Sequence, residues 1–125
     1  MSAQVRMLFV VAGLTLLSAC KAPLQLYATR SADVRASNAA RLHSFGSGEQ
    51  PAIVVELPKH CGWGEKAGTV WVDEAISGRN IWSQSRFMRE GSTNYFLPEG
   101  LGNGSFFATL MSGGEPVSSI NFDVR

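Results

Sequence analysis

The residues best suited to chemistry are His60 and Cys61, adjacent in the loop Lys59-His60-Cys61-Gly62-Trp63-Gly64. An imidazole beside a thiol is the beginning of a soft-metal or thiol site, and Met88 or Met111 would add a thioether suited to copper(I). Two neighbouring residues do not complete such a site. No Cys-x-x-Cys or His-x-His spacing supports them, and a structural zinc centre needs roughly four ligands. The competing reading is a loop whose cysteine packs as a small hydrophobe beside Trp63. Neighbours on an extended chain point to opposite faces, so His60 could serve Cys61 as a base only if the loop curls. Asp73-Glu74 reads as a solvated turn rather than an acid/base couple. Gly100-x-Gly102-x-Gly104 lacks the downstream helix that would make a phosphate loop. His43 lies in a stretch with no core pattern. The expectation is therefore a protein that is not an enzyme, with no catalytic residue, no metal site and no cofactor.

The other reactive cysteine has a different context. Arg6 precedes an apolar run from Met7 to Leu17, and the small residues Ser18 and Ala19 lead into Cys20. This is the layout of a secretory signal peptide, and the run falls short of the roughly 20 apolar residues a membrane-spanning helix needs. The motif Leu17-Ser18-Ala19-Cys20 resembles the lipobox of bacterial lipoproteins. The resemblance implies cleavage before Cys20, a diacylglycerol on its sulfur and an acyl chain on the new amino group. Several chains anchor stably, since each buried methylene adds about 0.8 kcal/mol and one chain alone is marginal. In that family an aspartate after the cysteine favours the inner membrane. Lys21 therefore implies the outer membrane, with the domain facing the periplasm and the lipid bilayer as a partner through Cys20.

After the expected cleavage the charges balance, with Arg6 lost and ten basic against ten acidic residues remaining. No basic footprint for nucleic acid exists. With Cys20 acylated, Cys61 has no partner in the chain for a disulfide. The fold must then be held by buried apolar surface, which is marginal at this size.

The elements that would position any site are strands. Residues 20–50 read as the lipidated cysteine and a flexible tether; within it Leu24–Tyr27 alternates and could form a short first strand. Ser31 to Ser44 has no sustained apolar face, and Gly46-Ser47-Gly48 has linker composition. The domain is expected at 51–125, after a signal peptide at 1–19. There, β-rich runs alternate with glycine punctuation: Ala52–Leu57, Thr69–Asp73, Asn80–Arg89, Thr93–Leu97, Ser105–Met111 and Val117–Val124. Six or seven strands at spacings of roughly 8–12 residues predict an all-β sandwich or barrel. Ile53, Val55 and Leu57 share a face, as do Val70 and Val72, then Phe106, Ala108 and Leu110, then Ile120, Phe122 and Val124. The sequence Tyr95 to Leu97, Pro98 to Gly104, Phe106 to Leu110 resembles the late strands of bacterial immunoglobulin-like domains. It implies a small antiparallel immunoglobulin-like β-sandwich.

One run breaks the pattern. Asn80-Ile81-Trp82-Ser83-Gln84-Ser85-Arg86-Phe87-Met88-Arg89 is polar on both faces at its centre, and its apolar ends slip in parity. Such a strand suits a sheet edge. Either Arg86 and Arg89 keep that edge from pairing with another chain, or the open edge accepts a partner strand, with Trp82, Gln84 and Arg86 as the contacts. Ser83-Gln84-Ser85, Leu97-Pro98 and Ser112-Gly113-Gly114 follow the order found in the small periplasmic immunoglobulin-like proteins that restrain curli amyloid assembly, and the chain resembles them in that respect. The expected function is an outer-membrane-anchored periplasmic lipoprotein whose sandwich binds a protein partner through Trp82, Gln84 and Arg86, as an accessory to envelope, secretion or fibre assembly such as curli. The alternatives are a metal- or thiol-handling protein using His60 and Cys61, and a purely structural envelope lipoprotein.

Overall fold

The computed structural model describes residues 22–35 and 39–125. The lipobox and Cys20 lie outside the described residues. Eight strands are found among those described: β1 (Gln25–Arg30), β2 (Ser44–Phe45), β3 (Pro51–Leu57), β4 (Glu65–Glu74), β5 (Asn80–Arg89), β6 (Ser92–Phe96), β7 (Gly104–Ser112) and β8 (Glu115–Val124). They form a three-stranded sheet ordered β1-β3-β6 and a five-stranded sheet ordered β2-β8-β7-β4-β5. All pairings are antiparallel except β2 with β8. The expected all-β sandwich is thus what the chain forms. Among the described residues no helix is long and apolar enough to cross a membrane.

Alternation fills the space between the sheets. Ile53, Val55 and Leu57 of β3 face Val70 and Val72 of β4 and Phe106, Ala108 and Leu110 of β7, all buried in one cluster. Phe122 of β8 packs against Phe106 at a ring separation of 5.5 Å. In β6 the buried side chain is Phe96; Tyr95 is half-buried and Leu97, just past the strand, is exposed, so the core-facing parity is the opposite of the one Tyr95 and Leu97 share. Gly113 and Gly114 both take positive φ (58° and 82°), which permits the two-residue connection between β7 and β8. Beyond it the register shifts beside Pro116, which has no N–H to give the ladder.

The boundary expected between residues 50 and 51 is corrected by the structure. Much of the stretch read as a tether is part of the sandwich. β1 pairs along its whole length with β3, from Gln25 opposite Glu56 to Arg30 opposite Pro51. A 3₁₀ turn at Ser31–Asp33 follows it. β2 runs parallel to β8, and Phe45 is 0% exposed, edge-on to Phe122 at 5.9 Å. The physical reason is that one aromatic ring, delivered by a two-residue strand, fills the end of the core without any periodicity to announce it. The segment is also tied down by polar contacts. Arg30 pairs with Glu49, the Arg41 guanidinium lies 4.3 Å above the Tyr27 ring, and the Tyr27 hydroxyl donates to Glu56 at 2.7 Å.

Burial and the Glu56 carboxylate push the Tyr27 phenol up to about 12. Because the folded value lies above the ordinary 10.0, this contribution is full below pH 10.0 and is lost as pH rises through about 12. An ultraviolet titration should therefore show a late phenolate step that Tyr27→Phe removes.

Candidate functional site

β5 is the site's scaffold. Among the described residues it pairs only with β4, so it forms one edge of the five-stranded sheet, as its polar centre suggested. The other edge strands are shorter: six residues in β1, five in β6 and two in β2, against ten in β5. No proline interrupts it. Ser83, Gln84 and Ser85 are all exposed.

A register shift at the start of β5 explains the slipped parity. Asn80 lies opposite Asp73 and Trp82 opposite Val72, leaving Ile81 as the extra residue of a bulge. Downstream of it, Trp82, Gln84, Arg86 and Met88 lie across from Val72, Val70, Gly68 and Lys66. The three residues expected to anchor a partner therefore share one parity, and it is the core-facing one. Trp82 is half-buried against the core. Gln84 stands exposed at the rim. Arg86 crosses the open side of the sandwich, donating through Nη1 to the Tyr95 carbonyl of β6 at 2.8 Å with its guanidinium 4.6 Å above the Phe96 ring. It closes the two sheets against each other. Its charge is spent there rather than guarding the free edge of β5, where only Arg89 remains, 4.0 Å from Glu65.

Room behind β5 comes from Gly68. A Cβ there would stand 2.6 Å from Met88 Cε and 2.8 Å from Trp63 Cη2. Glycine lets the Trp63 indole approach the β4 backbone closely, where its Nε1 donates to the Met88 carbonyl at 3.1 Å. Lys66 Nζ stands over the ring at 4.6 Å.

The loop holding His60 and Cys61 is built around a residue that the sequence reading passed over. The Glu90 carboxylate accepts the backbone N–H groups of His60, Gly62 and Gly64, each at 3.0 Å. His60, Gly62 and Gly64 all have positive φ, which turns successive amides toward one point. The paired glycines around Trp63 were the available signal; the acid they need is far away in sequence. Within this loop His60 is exposed, whereas Cys61 is half-buried, packs on the core and is a free thiol. Met88 is committed to the Trp63 slot. Among the described residues no group of three or more His, Cys, Asp or Glu side chains could hold a metal ion.

Hydrogen bonds from Gly64 and then His60 and Gly62 hold the Glu90 carboxyl below the usual carboxylate range. Since the folded value is depressed, the loop's tie is present above the ordinary glutamate value and is lost as pH falls through the lower folded one. Glu90→Ala should abolish hydrogen-exchange protection of the Gly62 and Gly64 amides at neutral pH. The parent protein should lose that protection only in acid.

No family model matches this sequence, and no curated protein does. Among solved structures the chain is similar to an immunoglobulin-like protein from Pseudomonas aeruginosa. The TM-score is 0.53 and the identity 14%, with 84% of this chain and 94% of that one covered. A likeness at that identity carries the architecture and nothing of the activity. With two facing sheets of three and five strands beside it, the chain has an immunoglobulin-like β-sandwich fold.

Proposed function

We propose that this protein is a lipid-anchored binding module of the outer membrane, facing the periplasm, whose β5 edge accepts an extended segment of a protein partner. The observation that carries the reading is the long unpaired edge of β5. Its exposed centre has no proline, and its one central cation, Arg86, is engaged by Tyr95. An incoming strand would satisfy the free backbone groups, which supply affinity irrespective of side-chain identity. Specificity would come from side chains near the rim, Trp82 and Gln84 among them. The partner belongs to an envelope, secretion or fibre-assembly system such as curli, the setting the lipobox and the Ser83-Gln84-Ser85 order support.

Photo-crosslinkers placed at Ser83 and Ser85 in living cells test this. Discrete adducts at both positions, and none from Thr93 on the other sheet, are expected. The absence of specific adducts would instead make the domain a structural envelope lipoprotein. Labelling with radioactive palmitate that Cys20→Ser abolishes is the expected result for the anchor, and an uncut, unlabelled chain would contradict it.

A further inference from the structure

The outward face of the five-stranded sheet carries aromatic rings that the core does not use. Phe87, Trp71 and Phe107 are 61%, 41% and 44% exposed. In the register Phe87 lies opposite Ala67, Trp71 opposite Thr109 and Phe107 opposite Asp73. The three rings therefore fall on one diagonal across β5, β4 and β7. At a strand spacing of about 4.8 Å and a rise of about 3.4 Å per residue, Phe107 is about 8 Å from Trp71 and Phe87 about 14 Å from it on the other side.

Hydroxyl pairs flank this line. Thr69 bonds to Ser85 at 2.7 Å and Thr109 to Ser119 at 3.2 Å. Each pair uses one proton, so a donor and several lone pairs remain free for a ligand. The centre of the face is uncharged. Glu65 and Arg89, 4.0 Å apart, lie at one end; at the other, Asp73, which accepts from Asn80 at 2.9 Å, stands opposite Phe107, and Asp123 accepts from Ser105 at 2.9 Å.

We propose that this face binds a linear, uncharged polysaccharide of β-linked pyranose units. The axial C–H groups of such sugars are the slightly positive edges that the negative face of an aromatic ring attracts, while their hydroxyls match the flanking Ser and Thr. A neutral chain needs no charged partner at the centre of the face and, unlike an acidic one, is not repelled by Asp73 and Asp123 at its Phe107 end. A second copy of the protein fits less well. Four strands over the length Ala67–Asp73 cover about 400 Å², against the roughly 800 Å² per partner of a standard protein interface. The site shares Ser85 and Phe87 with β5 but uses outward side chains, whereas strand addition uses that strand's free backbone edge; substitutions at Trp71 on β4 and Phe107 on β7 therefore test the face without touching the edge.

Full-length protein is tested for depletion onto insoluble cellulose and chitin, and by titration with cellohexaose and chitohexaose followed by tryptophan fluorescence. Saturable binding to at least one probe is expected, unchanged by added salt. Trp71→Ala and Phe107→Ala should each weaken it about tenfold or more, by analogy with the loss of one stacked ring. Trp71→Phe should restore most of it, separating a stacking role from a folding one, and Ile76→Ala in the exposed β4–β5 turn should change nothing. Failure to bind any of the four probes would overturn the proposal, as would binding insensitive to Trp71→Ala and Phe107→Ala. So would a concentration-dependent dimer that Trp71→Ala dissociates, which would give the face to a second copy.

Discussion

Replacing Phe45 by alanine should lower the free energy of unfolding by about 3–5 kcal/mol, the range for removing a buried aromatic ring. The ring is fully enclosed and sits edge-on to Phe122, so its loss opens a cavity among Phe122, Phe106 and their neighbours. If residues 20–50 were a loose tether, the same substitution would fall within about 0.5 kcal/mol of zero, as exposed positions do. Urea denaturation separates these outcomes, and an unchanged slope with a lower midpoint would assign the effect to the native state. Because the backbones of β2 and β8 also pair, part of the loss reflects weaker docking of Ser44–Phe45. The amide of Arg125, which donates to the Phe45 carbonyl at 2.9 Å, should lose exchange protection alongside it.

The second large effect is expected at Gly68. Valine suits a strand by propensity, yet here it must displace the Trp63 ring, whose nearest atoms lie 2.8 and 2.9 Å from the new Cβ. Met88 Cε is closer still, but it is the end of a flexible side chain and can move. The indole cannot move without losing its hydrogen bond to the Met88 carbonyl. Overpacking of this kind costs about 1–3 kcal/mol. Tryptophan emission should shift to longer wavelength as Trp63 leaves its slot. In the double variant Gly68→Val, Trp63→Ala the two costs should combine to less than their sum, because both act on one contact.

These two positions also mark what the sequence could and could not reveal. The strands β4, β7 and β8 were legible because one face of each is buried and period-two alternation follows from that, while β3, buried on both faces, was legible as a short apolar run ended by Pro58. β5 was legible as an edge because its centre is polar on both sides. The inward turn of Arg86 was not, since it depends on the bulge at Ile81 and on a carbonyl of β6 in the opposite sheet. Phe45 escaped notice because a two-residue strand has no period. Glu90 escaped because its three donors lie 26 to 30 residues away in the chain, in a loop whose geometry only the folded state supplies. Trp71 and Phe107 could be placed on outward faces by parity. That they fall in line with Phe87 required the register of three strands.

The proposal that β5 is the docking edge is tested most directly by amide hydrogen exchange on the protein with and without the partner captured by crosslinking. The β5 amides that face away from β4 should gain protection on binding, while those of β1 and β6 stay unchanged. Protection that appears on another edge, with the β5 amides exchanging as before, would contradict it.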